Sequence, residues 1–310
     1  MSLTGEAAAE ARRRSAATFG YYNLKFGPLA WRFEANAGIQ YHDNISYAEA
    51  NRRADFILRP GVSTAMRWTI TEKNSLNVNF GLGYLKYLKY SEFDRSYIEP
   101  GSEIGFDLYV GDFLFNFHDR VTMRTDVGEI PTATSRGDYQ RLENVIGVTT
   151  HWDLNTIILT LGYDHANYLS LNSTLRSADG SSEIVFAQGS LAFSSESTIG
   201  PELGVTTVDY KDSRVNDALQ YSAGLFYQSK LTRHIELKVR AGYTLYETQA
   251  GGFAQDAQDF GNPYADLSVS HVVGAFMNHS LSISHQVRSG MEYGSRTRPL
   301  VVTSASWNPT

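Results

Sequence analysis

The 310-residue sequence contains no cysteine, so disulfide frameworks, thiol nucleophiles, thiolate zinc sites and iron–sulfur clusters are excluded. It lacks any uninterrupted apolar run of the ~18 residues that a membrane-spanning helix requires, which excludes a helical membrane protein. Basic residues form no block and the net charge is −6, which argues against nucleic-acid binding. Proline is scarce at 8 residues, beside 26 glycines, 19 tyrosines and 16 phenylalanines. This mixture is typical of many β-strands rather than of disorder.

The segment from Trp31 to Tyr41 alternates strictly between apolar residues and residues that are polar or glycine. A period of two places the two sets on opposite faces of one β-strand. The segment is about eleven residues long, which is about twice the usual length of a strand in a globular protein. We therefore predict a long strand with one apolar face.

The same alternation recurs along the whole chain and predicts about fourteen strands, with boundaries that are less certain than the strands themselves. Short turns such as 72–74 and 153–155 alternate with longer polar loops such as 44–54 and 289–298. Long strands joined in this way predict an antiparallel up-and-down meander, with tight turns at one end and long loops at the other.

Three features favour a transmembrane β-barrel over a soluble antiparallel sandwich, which would also alternate. The strands approach the ~9–11 residues that a tilted strand needs to cross a bilayer. The less apolar face combines many charges with glycine, serine, threonine and asparagine, as a water-filled lumen does. All tryptophans lie on the apolar face at the tight-turn end of their strands, which predicts an aromatic girdle at one membrane interface. They are Trp31, Trp68, Trp152 and Trp307.

The predicted fold is all-β: an antiparallel up-and-down transmembrane β-barrel with about 14 strands in this chain and about 16 in the full-length protein. The predicted organisation is a leader or periplasmic segment at 1–28, helical or disordered, followed by the barrel at 29–310. A β-propeller shares the repeat spacing, but its repeat would hold four short strands where this sequence has two long ones. Tyrosines near the long-loop ends are candidates for a second girdle, among them Tyr163, Tyr168, Tyr243 and Tyr246.

Strand length, the tryptophan girdle and the turn pattern together resemble the transmembrane β-barrels of Gram-negative outer membranes. Three short segments resemble, more narrowly, the porin-like family associated with exopolysaccharide genes: Leu58–Val62, Ile98–Ser102 and Gly200–Gly204. The resemblance implies a location in the bacterial outer membrane, and the family supplies no catalytic residues. Residues 1–20 contain no apolar signal-peptide core, so we expect the secretion signal to have been removed.

Charged residues on the less apolar face are the candidate functional residues. Opposed charges across a water-filled constriction would create a transverse field that favours polar solutes. Acidic and basic residues on neighbouring strands would also form ion pairs that stabilise the wall. The sequence therefore allows two interpretations: a conducting lumen, or a lumen filled by structural charge pairs. The predicted lumen and constriction residues are Arg59, Arg67, Glu99, Glu103, Asp107, Arg120, Arg124, Arg141, Glu143, Lys238 and Arg240.

The sequence predicts no enzymatic site, no cofactor and no metal site. The adjacent pairs Asp164–His165 and His118–Asp119 would point to opposite faces of a strand, so neither pair by itself forms an Asp–His dyad. Three histidines flank one predicted hairpin, but alternation places them on the lipid side: His271, His279 and His285.

The sequence therefore favours a passive or weakly selective channel for small hydrophilic solutes or oligosaccharides. The alternative is a non-conducting structural or accessory barrel, for instance one that assists exopolysaccharide export. A barrel enzyme acting on lipids or peptides is a third class, but no residue pattern specifies one. The expected partners are outer-membrane lipid and either small hydrophilic solutes or a polysaccharide, and not nucleic acid.

Overall fold

The computed structural model describes residues 22–46, 51–124, 140–171, 176, 179–213, 215–249, 259–273, 277–292 and 296–309. Within these residues the chain forms sixteen β-strands and a short 3-10 helix at Ser91–Phe93. None of the described helical residues forms a helix long and apolar enough to cross a membrane. The predicted N-terminal segment lies outside the described residues as far as residue 21.

The strands are β1 (Leu24–Phe26), β2 (Leu29–His42), β3 (Asp55–Thr69), β4 (Ser75–Tyr87), β5 (Arg95–Ile98), β6 (Ser102–Val110), β7 (Phe113–Arg124), β8 (Arg141–Asp153), β9 (Ile157–Ser170), β10 (Gly180–Ser194), β11 (Ser197–Tyr210), β12 (Asp217–Thr232), β13 (Ile235–Gln249), β14 (Phe260–Val273), β15 (Met277–Glu292) and β16 (Arg296–Pro309).

The strands form one antiparallel sheet in which each strand pairs with its neighbour in sequence. β5 and β6 both pair with β4 and are two parts of one strand, interrupted at 99–101, where Gly101 adopts a φ of 90° that favours glycine. If β5 and β6 are counted once and the three-residue β1 is set aside, fourteen long strands remain. The predicted all-β, antiparallel, up-and-down fold is therefore confirmed.

The two faces of the sheet have opposite polarity. In β9, Leu161 is 61% exposed, whereas the neighbouring Thr160 is 6% exposed and Asp164, on the same face as Thr160, is 2% exposed. The same alternation of exposed apolar and buried polar residues runs through β10, where Val185 is exposed and Ser182 is fully buried. We call the apolar face the outer face and the polar face the inner face. Burial of one face of a single sheet is typical of a sheet that curls round on itself.

The inner face becomes apolar towards the long-loop end of the strands. One buried cluster there joins β8, β9 and β10 and consists of Val145, Ala166, Tyr168, Ile184 and Phe186. Tyr246 belongs to a second inner cluster. The prediction that Tyr168 and Tyr246 belong to an outer girdle is therefore wrong, whereas Tyr163 and Tyr243 do lie exposed on the outer face.

The connection between β15 and β16 is shorter than the sequence predicts. The two strands stay paired as far as Glu292 and Arg296, through most of the stretch predicted as a loop at 289–298. Backbone hydrogen bonds between paired strands do not require alternating apolar and polar residues. Polar residues can therefore extend a hairpin beyond the part of the strands that needs an apolar face. Among the described residues, β16 pairs with β15 alone, and no ladder joins β16 to β2.

Candidate functional site

The predicted lumen residues lie on the inner face in the described part of the chain. Arg59 and Arg67 belong to β3, Glu103 and Asp107 to β6, and Arg120 to β7, where it stands opposite Glu103. The remaining members are Glu99 between β5 and β6, Arg141 and Glu143 in β8, and Lys238 and Arg240 in β13. Arg124 ends β7, but its side chain lies outside the described part of the structure.

A hydrogen-bond chain crosses the inner faces of β6, β7 and β9. Asp107 accepts a bond of 2.7 Å from the Asn116 amide, whose oxygen lies 3.1 Å from His118 Nδ1. His118 Nε2 lies 2.9 Å from Asp164 Oδ1, and both side chains are buried. Gly147 of β8 lies between these two residues and has no side chain to separate them. The chain ties three strands together through one continuous polar network.

The His118–Asp164 pair is a combination that sequence reasoning missed. The two adjacent pairs considered from the sequence do not form dyads, because each spans both faces of its strand. The observed pair comes from two strands that flank a third. The signal that could have found it is the glycine at position 147, which permits a side chain to cross β8. The side chain of His118 is 0% exposed and that of Asp164 is 3% exposed, so bulk solvent reaches neither residue directly.

A second polar cluster ties β11 to β14. The Arg240 guanidinium donates from Nη2 to Glu202 Oε1 at 2.7 Å, and the Tyr264 hydroxyl donates to the same oxygen at 2.8 Å. Arg240 Nη1 also lies 3.6 Å from Asp266 Oδ2. Tyr264 reaches Glu202 because the two intervening strands carry glycine, Gly242 and Gly224, beneath its ring. Charge-assisted bonds of this kind are stronger than bonds between neutral groups.

Several other charged residues of the inner face contact neighbouring residues of the wall. Arg141 donates from Nε to Glu143 at 2.8 Å and stacks over the Tyr168 ring at 4.8 Å. Lys238 Nζ lies 3.2 Å from Glu236, and Arg59 donates to Gln40 at 3.2 Å. Glu99 accepts a bond of 3.3 Å from the Asn36 amide and lies across Gly81 and Gly61.

Exposure differs between parts of the inner wall. The Lys238 side chain is 53% exposed, and Glu34 and Arg59 on β2 and β3 are also exposed. In contrast, inner-face residues are buried through the middle of β9, β10 and β11. Several buried polar atoms on the inner faces of β8, β10, β11 and β12 have no hydrogen-bond partner among the described residues: Thr149 Oγ1, Ser182 Oγ, Gln188 Nε2, Thr206 Oγ1 and Gln220 Nε2.

The tryptophans all lie on the outer face, near the tight-turn ends of their strands. Trp68, Trp152 and Trp307 are 44%, 38% and 64% exposed. The Trp31 indole stacks on Phe33 and donates to the Thr64 hydroxyl at 2.5 Å. Phe113 stacks on Trp152, and His279 on Trp307. None of the four indoles is packed in a dry core, as a sandwich would require.

An ion pair from the end of β4 helps to fix the loop that follows this strand. The Lys86 ammonium donates to Asp94 Oδ2, and this hydrogen bond lowers the pKa of the Asp94 carboxyl below its ordinary value. The Asp94 carboxylate also accepts a backbone bond of 2.8 Å from Tyr87. The described residues contain no group of three or more histidine or acidic side chains placed to hold a metal ion.

No protein-family model matches the chain, and no curated protein matches it. Among solved structures, the chain is similar to OmpT, an outer membrane protein of Vibrio cholerae, with 9% identity, a TM-score of 0.48, and coverage of 91% of this chain and 96% of that one. It is also similar to the outer membrane channel DcaP of Acinetobacter baumannii, with 8% identity, a TM-score of 0.42, and coverage of 94% and 100%.

An anion-selective porin from Comamonas acidovorans is similar at 11% identity and a TM-score of 0.41, over 90% of this chain and 96% of that one. At these identities and TM-scores, we draw no functional inference from the likenesses. The narrower resemblance to the porin-like family associated with exopolysaccharide genes stays a prediction.

Proposed function

We propose that the chain is an outer-membrane β-barrel that conducts small hydrophilic solutes or oligosaccharides through its interior and is not an enzyme. The observation that carries this proposal is the reversed polarity of the sheet. Leucine, isoleucine, valine and aromatic side chains stand exposed on one face, while charged and amide side chains are buried on the other. A soluble protein buries its apolar side chains and exposes its charged ones, so the exposed apolar face requires an apolar environment.

Lys238 supports conduction, because its side chain is 53% exposed on the inner face, where its charge would act on a passing solute.

The second candidate function is a non-conducting accessory barrel, for instance one that assists exopolysaccharide export. The observation that favours it is the continuous burial of inner-face residues in β9, β10 and β11, together with the apolar cluster around Phe186. A filled interior of this kind would hold the wall rigid and leave the long loops to bind partners.

Recordings in planar lipid bilayers test the choice. We expect stable ohmic conductance steps from purified protein, with folding checked by heat-modifiable migration on a detergent gel. Absence of conductance despite confirmed insertion would contradict the channel function and favour the accessory barrel.

Charge reversal at the inner wall tests the path of the ions. Lys238→Glu should shift the reversal potential towards cation selectivity, because it replaces an exposed inner ammonium by a carboxylate. The matched control is Lys73→Glu in the tight turn after β3, which makes the same charge change outside the inner wall. Equal shifts in both variants would contradict a path along β13.

A further inference from the structure

Two histidines face each other across the hairpin of β14 and β15. The register pairs His271 of β14 directly with His279 of β15, near the tight-turn end of both strands. Directly opposed residues of an antiparallel pair point to the same face and have Cβ atoms roughly 4.5–5.5 Å apart. Leu281, two residues further along β15, is exposed on the outer face, so both imidazole rings lie on that face. At this separation the two rings can bind one ion between them.

A methionine places a third donor atom beside the two rings. Met277 lies two residues before His279 in β15 and therefore on the same face. Its sulfur, Sδ, lies 3.0 Å from His279 Nε2. A nitrogen and a sulfur that bind one ion at ~2.0 and ~2.3 Å are roughly 3.0–3.6 Å apart, for angles between a right angle and a tetrahedral one. The two atoms are therefore already as close together as two ligands of one ion.

The His279 ring is held in place by stacking on an indole. Its centroid lies 6.0 Å from that of Trp307, and the two ring planes are 12° apart. His279 Nδ1 is buried and has no hydrogen-bond partner among the described residues. The contact of Nε2 is with a thioether sulfur, which is a weak acceptor. A metal ion at Nε2 would give this ring a much stronger partner than it has in the metal-free chain.

The three side chains are accessible at the tight-turn end of the hairpin. Met277 is 49% exposed and His271 is exposed, whereas His279 is half-buried. The histidine pair lies two residues closer to the turn than Trp307, which pairs with Leu281. Because the tryptophans are predicted to mark the membrane interface, the pair would lie on the water side of the girdle. An ion can then reach the three donor atoms without crossing the apolar surface.

The donor atoms indicate which ion the site would take. Thioether ligands select Cu(I), and imidazole also suits copper, whereas Mg²⁺ and Ca²⁺ require oxygen ligands. Two neutral imidazoles and a thioether leave the charge of the ion uncompensated, which costs least for a monovalent ion. We propose that His271, His279 and Met277 bind one Cu(I) ion. This site lies on the outer face and does not depend on conduction through the interior.

Titration with Cu(I) tests the proposal on the full chain in detergent micelles, without oxygen and in competition with the chelator bathocuproine disulfonate. The unmodified chain should bind one ion per chain. His271→Gln, His279→Gln and Met277→Leu should each weaken binding at least roughly tenfold, because loss even of a group that only supports a metal ligand costs ~10–100-fold. Heat-modifiable migration on a gel checks that each variant is folded.

X-ray absorption of the copper-loaded chain identifies the ligands independently of the affinity. The sequence contains no cysteine, so a sulfur bound to copper must come from methionine. The unmodified chain should show nitrogen neighbours and one sulfur neighbour. Met277→Leu, loaded at a higher copper concentration, should keep the nitrogen neighbours and lose the sulfur.

Matched controls change the same residue types elsewhere on the outer face. Met66→Leu alters a methionine that also lies near a tight turn but stands opposite Trp31 rather than beside a histidine. His285→Gln alters a histidine of β15 whose Nδ1 lies 2.8 Å from the Thr303 hydroxyl. Both variants should bind Cu(I) as the unmodified chain does.

Four results would overturn the proposal. They are binding of less than one ion per chain, a copper spectrum without sulfur, an equal loss of affinity in Met66→Leu and Met277→Leu, and displacement of Cu(I) by an equal concentration of Zn²⁺. The proposed function fails separately: a chain that binds Cu(I) but does not conduct loses the channel and keeps the metal site. A chain that conducts but binds no Cu(I) loses only the metal site.

Discussion

At the scale of single residues, glycine decides where a long side chain can lie flat on the inner wall. A Cβ at Gly147 would stand 2.1 Å from Asp164 Oδ1, 2.5 Å from the Tyr163 carbonyl oxygen and 2.8 Å from His118 Nε2. One of these atoms belongs to the backbone, so rotating a side chain cannot relieve the contact. The absence of a side chain at this position is therefore what allows His118 to meet Asp164.

Gly147→Ala should lower the free energy of unfolding by roughly 1–3 kcal/mol, the usual cost of overpacking a filled site. The effect is measured as the change in urea midpoint, with the folded fraction in micelles determined from heat-modifiable migration on a gel. Gly105→Ala is the control, because its Cβ would meet no atom closer than 3.7 Å. Equal urea midpoints for the two variants would contradict the close packing at Gly147.

At the scale of strands, ion pairs join elements that are not neighbours in the sheet. Arg240 of β13 reaches Glu202 of β11 across β12, and Tyr264 of β14 reaches the same carboxylate across two strands. Glu202 is 7% exposed, so these donors supply hydrogen bonds that bulk water does not. The cluster binds four consecutive strands in addition to their backbone ladders.

Arg240→Met should destabilise the folded chain by roughly 3–5 kcal/mol, because it leaves the Glu202 carboxylate buried without its cation. The double variant Arg240→Met with Glu202→Gln should recover a large part of that loss, since the uncompensated charge is gone. Urea titration in micelles measures all three proteins. A double variant no more stable than Arg240→Met alone would show that the charge is not the cause.

At the scale of the whole molecule, the outer surface is apolar between a tight-turn end marked by tryptophan and a long-loop end where polar residues appear. The exposed indoles of Trp68, Trp152 and Trp307 share the tight-turn end. Indoles favour the membrane–water interface, where the ring stays in apolar surroundings while the N–H meets polar groups. The girdle stays a prediction that the positions of these side chains allow.

Tryptophan fluorescence in vesicles of brominated lipid should be quenched more strongly by bromine close to the headgroup than by bromine at the chain end. The physical reason is that all four indoles lie near the tight-turn ends of their strands, where the girdle is predicted, and quenching requires contact. Trp68→Phe and Trp152→Phe should each lower the quenched signal without changing its depth dependence. Strongest quenching from the bilayer centre would contradict the girdle, and no quenching would contradict the membrane location.

Much of the fold could be predicted, because alternation is a local property. The run from Trp31 to Tyr41 specifies both a strand and its apolar face, and β2 has that face on the outside of the sheet. Tyr168 and Tyr246 lie an odd number of residues from the outer-face Tyr163 and Tyr243, so the same alternation places them on the inner face, and their assignment to an outer girdle did not follow it. The short connection between β15 and β16 was also not predicted, because polar residues can continue the backbone hydrogen bonds between two strands without any apolar alternation.

The sequence by itself determined the strand number, the antiparallel order and the face on which each tryptophan and each described candidate charge within a strand lies. These follow from a period of two and from connection length, which need no knowledge of distant residues. The tertiary structure alone decided that His118 meets Asp164, that Arg240 meets Glu202, and that His271 stands opposite His279. These contacts depend on the register between strands, and register is a property of pairs of strands rather than of any one segment.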